Sequence, residues 1–144
     1  MLTVILSGHG GFATGLEKAI NQIIGEQEQF RAIDFPPEAT TPELEQSMRT
    51  ALTELHSDDG VVFMTDLLGG TPFRSASLLS QEHDNMEVIA GTNLQMAAEM
   101  LLDRDDLTAR EFVKQALECG HRGITSLSEQ LASSAKQETA DDGI

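Results

Sequence analysis

Apolar positions along this chain follow two rhythms. Short, mostly apolar runs occur at residues 2–7, 30–35, 61–64 and 86–90. Runs of that length, bounded by glycine, proline or acidic turns, predict buried strands. Between them, apolar residues recur at helical spacing. Phe12, Leu16, Ile20, Ile23 and Ile24 form one stripe, with Gly25 as the stop. Thr41 and Pro42 read as an N-cap and first helical residue, opening a second helix to about Leu55. A third runs from Pro72 to about Leu79. A fourth follows Gly91-Thr92-Asn93, with Leu94, Ala97, Ala98 and Leu101 as its core stripe, and ends near Asp103. Thr108 and Glu111 make a capping box for a fifth, to about Cys119. Residues 124–131 fit either a terminal strand or a last helix, and residues 133–144 read as a polar, frayed tail.

The alternation βαβαβαβα, with connections long enough for right-handed crossovers, implies an α/β fold. Its sheet is open and mostly parallel, with helices on both faces. A strand order of 2-1-3-4 puts the switch point between the first and third strands, where ligands gather at the carboxyl ends. The domain is expected over residues 1–131, with residues 132–144 as the tail. A chain of 144 residues is enough to bury roughly 70% of its unfolded surface in one core.

Two glycine turns follow those strands. The first, Gly8-His9-Gly10-Gly11, puts an imidazole where neighbouring side chains are absent; the second, Asp66-Leu67-Leu68-Gly69-Gly70-Thr71, brings a carboxylate. An acid that accepts one ring N–H fixes the tautomer and leaves the other nitrogen as a nucleophile. Gly10, Gly11, Gly69, Gly70 and Thr71 precede helices, whose N-terminal N–H groups suit phosphate oxygens. The expected chemistry is a phosphohistidine site with His9 as nucleophile and Asp66 as its orienting acid. Either residue read alone is also an ordinary turn residue. A competing pattern uses the same letters: Gly8-His9-Gly10-Gly11-Phe12-Ala13 fits a dinucleotide-binding turn, with Asp34 as ribose acid 24 residues after Gly10.

Composition narrows the classes. The net charge of −15 leaves no basic footprint for nucleic acid, and suits either a basic protein partner or simple solubility. One cysteine, Cys119, excludes an internal disulfide and fits a reducing compartment. No membrane span or export signal is read, so a cytoplasmic protein is expected. His9, His56, His83, His121 and Cys119 lack metal-ligand spacing, so no metal is expected. Walker and nucleophile-elbow motifs are also missing.

The blocks VILSGHGGFATGL, GVVFMTDLLGGTPF and VIAGTNL, with Arg104-Asp105-Asp106, together resemble the IIA component of mannose-type sugar phosphotransferase systems. The resemblance spans about Met1 to Leu131. It implies a phosphocarrier without a dissociable cofactor, which takes phosphate from phospho-HPr on His9 and passes it to a IIB component. That component serves a membrane IIC/IID pair. Asp66 matches the acid, and Gly69, Gly70 and Thr71 match the phosphate cradle. The resemblance also implies a homodimer with a terminal edge strand exchanged, which would make residues 124–131 an antiparallel strand. Leu67 and Leu68 depart from members that carry an aromatic there, and are expected to line the docking face. A subunit of a dihydroxyacetone kinase, a regulatory module without turnover and a dinucleotide-binding module are the alternatives. The transported sugar is left open among mannose, fructose, sorbose, glucose, galactosamine and N-acetylgalactosamine.

Overall fold

Two strands in the middle of the sheet, β1 (Thr3–His9) and β3 (Val61–Thr65), are apolar on both alternating faces because both faces are covered. The computed structural model describes residues 1–142. The remaining described elements are α1 (Phe12–Ile24), β2 (Phe30–Phe35), α2 (Thr41–Glu54), α3 (Thr71–Ser80), β4 (Met86–Ile89), α4 (Leu94–Asp103), α5 (Ala109–Arg122) and α6 (Leu127–Asp142). All pairings between the strands are parallel, in the order β2-β1-β3-β4 expected from the alternation.

Residue parity divides the core. Val4, Leu6, Val62, Met64 and Ile89 face Ala13, Ile20, Met96, Leu101 and Phe112, from α1, α4 and α5. Ile5, Ile33, Val61 and Phe63 face Leu44, Met48, Ala51, Ala76 and Leu79, from α2 and α3. Each fully buried Val, Leu, Ile, Phe or Met among them stabilises the fold by about 1.5–3 kcal/mol through area removed from water. Register aligns Ser7 with Thr65 and His9 with Phe35, so the ends of β1, β2 and β3 come level at one edge.

At the opposite edge, Arg104 is 1% exposed. Its Nη1 donates to the Leu2 carbonyl at 3.0 Å and the Gln29 carbonyl at 2.9 Å, and Nη2 donates to the Glu28 carbonyl. It fastens the starts of β1 and β2 to the turn between α4 and α5.

Three boundaries differ from expectation. The N-cap of α2 is Thr40, not Thr41; its hydroxyl accepts from the Glu43 N–H while the Glu43 carboxylate accepts from the Thr40 N–H. Both threonines can cap, but only Thr40 has an acid three residues on. β1 extends to His9, because the ladder with β2 continues to Phe35 and the Gly10 N–H donates to the Phe35 carbonyl at 2.8 Å. His9 is therefore the last strand residue rather than a turn residue.

The third difference concerns the C-terminus. The expected antiparallel strand over residues 124–131 is absent from the described sheet; helix α6 begins at Leu127 and continues to Asp142. Ser126 supplies the cap, its hydroxyl accepting from the Glu129 N–H at 3.1 Å. The frayed tail expected from residue 133 is likewise helical as far as residue 142, with residues 143–144 outside the described residues. A serine cap followed by Leu, Glu, Gln, Ala and Lys favours a helix over a strand with no neighbour.

Candidate functional site

β1 and β3 deliver His9 and Asp66 side by side. Asp66 Oδ2 accepts from the His9 backbone N–H and lies against His9 Nδ1, both at 2.8 Å. Asp66 Oδ1 accepts from the Leu67 N–H at 2.7 Å. Burial by itself raises the Asp66 carboxyl pKa, but these hydrogen bonds outweigh it and hold the group below the ordinary aspartate range. An ionised carboxylate only accepts, so Nδ1 carries the ring proton and Nε2 presents a lone pair. No other hydrogen bond to the ring exists among the described residues. The His9 side chain is 46% exposed against 16% for Asp66, so the imidazole stands at the surface and its acid lies beneath. Phe35 flanks the ring edge-on, with centroids 5.9 Å apart.

Glycine at position 70 makes room for this ring. A Cβ there would stand 2.7 Å from His9 Cε1 and 3.4 Å from Nε2. Gly70 is also the N-cap of α3, so the imidazole rests on the positive end of that helix. Gly8 has a similar duty, since a Cβ there would enter the Phe12 ring at 2.4 Å.

Not every expected phosphate donor is available. The Gly10 N–H donates to Phe35 and the Gly70 N–H to the Leu67 carbonyl at 3.0 Å. Those two glycines contribute shape: Gly10 adopts φ +56° and Gly70 clears the ring. Pro72 has no N–H, which leaves the N–H groups of Gly69, Thr71 and Phe73 and the Thr71 hydroxyl without partners among the described residues. At α1 the first turn is engaged at Thr14. Asp34 accepts from the Thr14 N–H at 2.9 Å and from its hydroxyl at 2.6 Å.

That arrangement bears on two expectations. Gly10 and Gly11 open a helix whose first turn already holds the Asp34 carboxylate at Thr14, while the start of α3 lies against the His9 ring. The carboxylate that the dinucleotide reading assigns to a ribose has both oxygens on Thr14. Sequence spacing missed the Thr14–Asp34 pair because its members, 20 residues apart, meet only when β2 lies beside β1. Leu67 and Leu68 are 62% and 74% exposed on the turn beside the imidazole. His56, His83 and His121 are exposed and scattered, and no metal-binding cluster occurs among the described residues. No described helix is long and apolar enough to cross a membrane.

A family model described as "PTS system fructose IIA component" (EIIA-man) matches residues 3–117. The mannose-specific EIIAB component of Escherichia coli K12 is 35% identical over 127 residues, covering 88% of this chain; the chain spans 39% of that relative's length. The fructose-specific EIIA component of Bacillus subtilis 168 is 29% identical over 144 residues and 99% of both chains. Among solved structures, the phosphotransferase system component EIIA from Streptococcus agalactiae superposes with a TM-score of 0.83 at 29% identity, covering 90% of this chain and 99% of that one.

Proposed function

Because this chain belongs to the mannose/fructose-type IIA family of the sugar phosphotransferase system, we propose that it carries a phosphoryl group on His9 Nε2. It takes the group from phospho-HPr and gives it to a IIB component that serves membrane IIC/IID proteins. The observation that carries this reading is His9 itself: Nδ1 lies 2.8 Å from the Asp66 carboxylate, and the ring lies on the N-terminus of α3.

The step follows from that geometry. Nε2 attacks phosphorus in line, and the donor's N–P bond breaks with its electron pair left on the donor nitrogen. The new Nε2–P bond makes the ring cationic, and Asp66 balances that charge while keeping the Nδ1 proton. Oxygens of the transferring group meet the Thr71 hydroxyl and the free N–H groups of Gly69, Thr71 and Phe73. Little covalent work falls to the protein in such a displacement; position and charge carry it. The return step to IIB reverses these events. An exposed imidazole suits a donor and acceptor that are themselves proteins. Leu67 and Leu68 offer an apolar docking rim around it.

The reading includes a cytoplasmic location and a homodimer, in which a second copy would cover the exposed Ile124, Leu127 and Leu131. It leaves the sugar open, since the IIA chain touches other proteins rather than the sugar. The decisive experiment incubates the chain with phosphoenolpyruvate, enzyme I and HPr and weighs it. A gain of about 80 Da on His9, lost in acid and absent from His9→Ala, is expected. Stoichiometric label on His9→Ala would refute the proposal. Subsequent transfer to a IIB protein, rather than to a dihydroxyacetone kinase, separates the two carrier readings.

A further inference from the structure

Resting on the phosphohistidine reading above, we propose that Arg74 is a further phosphoryl-binding residue, whose guanidinium closes on the oxygens of the group carried by His9. Three observations converge on it. The first is position. Gly70 lies against the His9 ring, and the Arg74 N–H donates to the Gly70 carbonyl at 2.9 Å, so Arg74 stands one helical turn above the imidazole's resting place. Residues four apart share a helix face, and helical side chains lean toward the N-terminus. An arginine side chain is longer than the about 5.4 Å rise of that turn.

The second is availability. The Arg74 side chain is exposed and makes no hydrogen bond or ion pair among the described residues. The other arginines near acids are committed: Arg31 to Glu54, Arg49 to Glu45 and Glu82, Arg122 to Glu99. Arg104 is locked to carbonyls at the far edge of the sheet, where α5 with Arg110 and Lys114 begins. In a chain with 24 acids and 9 Lys and Arg, an unpaired guanidinium beside the candidate nucleophile is a counter-charge in waiting.

The third is the chemistry of the loaded state. Phosphorylation adds close to two negative charges next to Asp66, itself ionised, while Thr71 and the α3 N–H groups offer neutral donors only. Arginine's planar fork matches two phosphoryl oxygens at once. The residue contributes nothing to the empty site and acts once the group arrives.

The test compares wild type, Arg74→Gln and Arg74→Lys, each loaded from phosphoenolpyruvate, enzyme I and HPr, freed of donor, and titrated by phosphorus NMR. Any variant that loads poorly is phosphorylated with phosphoramidate instead, and its His9 signal identified by its loss in His9→Ala. The second ionisation of the phosphoryl group is expected about 0.5–1 pH unit lower in wild type than in Arg74→Gln, with Arg74→Lys between them. Unchanged melting temperatures would exclude a folding effect. An identical titration in wild type and Arg74→Gln, with slowed transfer to IIB, would overturn the proposal and give Arg74 to a carboxylate of the partner. Wild type that takes no label on His9 would instead overturn the phosphohistidine reading, and this proposal with it.

Discussion

Asp66 grips His9 twice with one oxygen: Oδ2 receives the backbone N–H and the ring Nδ1, each at 2.8 Å. The carboxylate thus fixes both where β1 ends and how the imidazole is turned. Its second oxygen, held by the Leu67 N–H at 2.7 Å, starts the turn that carries Gly70 against the ring.

The pH dependence of this grip has a definite sign. Asp66 has a depressed pKa in the folded chain, so its contribution to stability is full above the unfolded value near pH 3.9 and fades as pH falls through the folded one. Urea melts of wild type are expected to lose stability below about pH 4 more steeply than those of Asp66→Asn. Equal slopes would mean that the carboxylate's hydrogen bonds do not favour its charge. Asp66→Asn should also load phosphate at least about tenfold more slowly, because an amide cannot balance the imidazolium.

Gly70→Ala and Gly69→Ala should separate site geometry from backbone strain. At Gly70 the backbone is ordinary (φ −73°), but the new methyl meets His9 Cε1 at 2.7 Å. Loading should fall about tenfold or more with the melting temperature little changed. At Gly69 no atom lies within 4 Å, yet φ is +78°, so alanine should cost about 1 kcal/mol of stability and leave loading nearly intact. The reverse pattern would place the ring elsewhere.

Replacing Leu67 and Leu68 with serine tests the docking rim. Both side chains are mostly exposed, so stability should hold while KM for phospho-HPr or IIB rises several-fold with kcat nearly unchanged. An unaltered KM for both proteins would remove these leucines from the interface.

Asp34→Ala should destabilise the chain by about 1 kcal/mol, the cost of uncapping α1 at Thr14, and leave His9 loading unaffected. A lost phosphohistidine signal in a folded variant would show that Asp34 itself supports the site.

Arg104→Met, by contrast, strips donors from the carbonyls of Leu2, Glu28 and Gln29 at once. A loss of about 2–4 kcal/mol is expected in chemical denaturation. A change below about 0.5 kcal/mol would mean water replaces the guanidinium.

Much of this protein was legible in one dimension because its signals are local. The runs ending at Ser7 and Met64 predict strands covered on both faces, and the Thr108–Glu111 box predicts a helix start; both are in place. His9 and Asp66 could be paired from strand order alone, since a 2-1-3-4 sheet sets the ends of β1 and β3 together. Residues 124–131 were ambiguous for a physical reason: a strand there needs an edge to pair with, whereas a helix satisfies its own backbone, as α6 does.

The chain by itself determined the alternation, the two central strands and the pairing of His9 with Asp66, all of which rest on neighbours in sequence or on strand order. The tertiary structure decided which hydrogen-bond donors remain free. Asp34 engages Thr14 at α1, while Gly10 and Gly70 give their N–H groups to Phe35 and Leu67. That choice depends on segments meeting across the sheet and within the turns, and it is packing of the same kind that sets the start of α3 against the His9 ring.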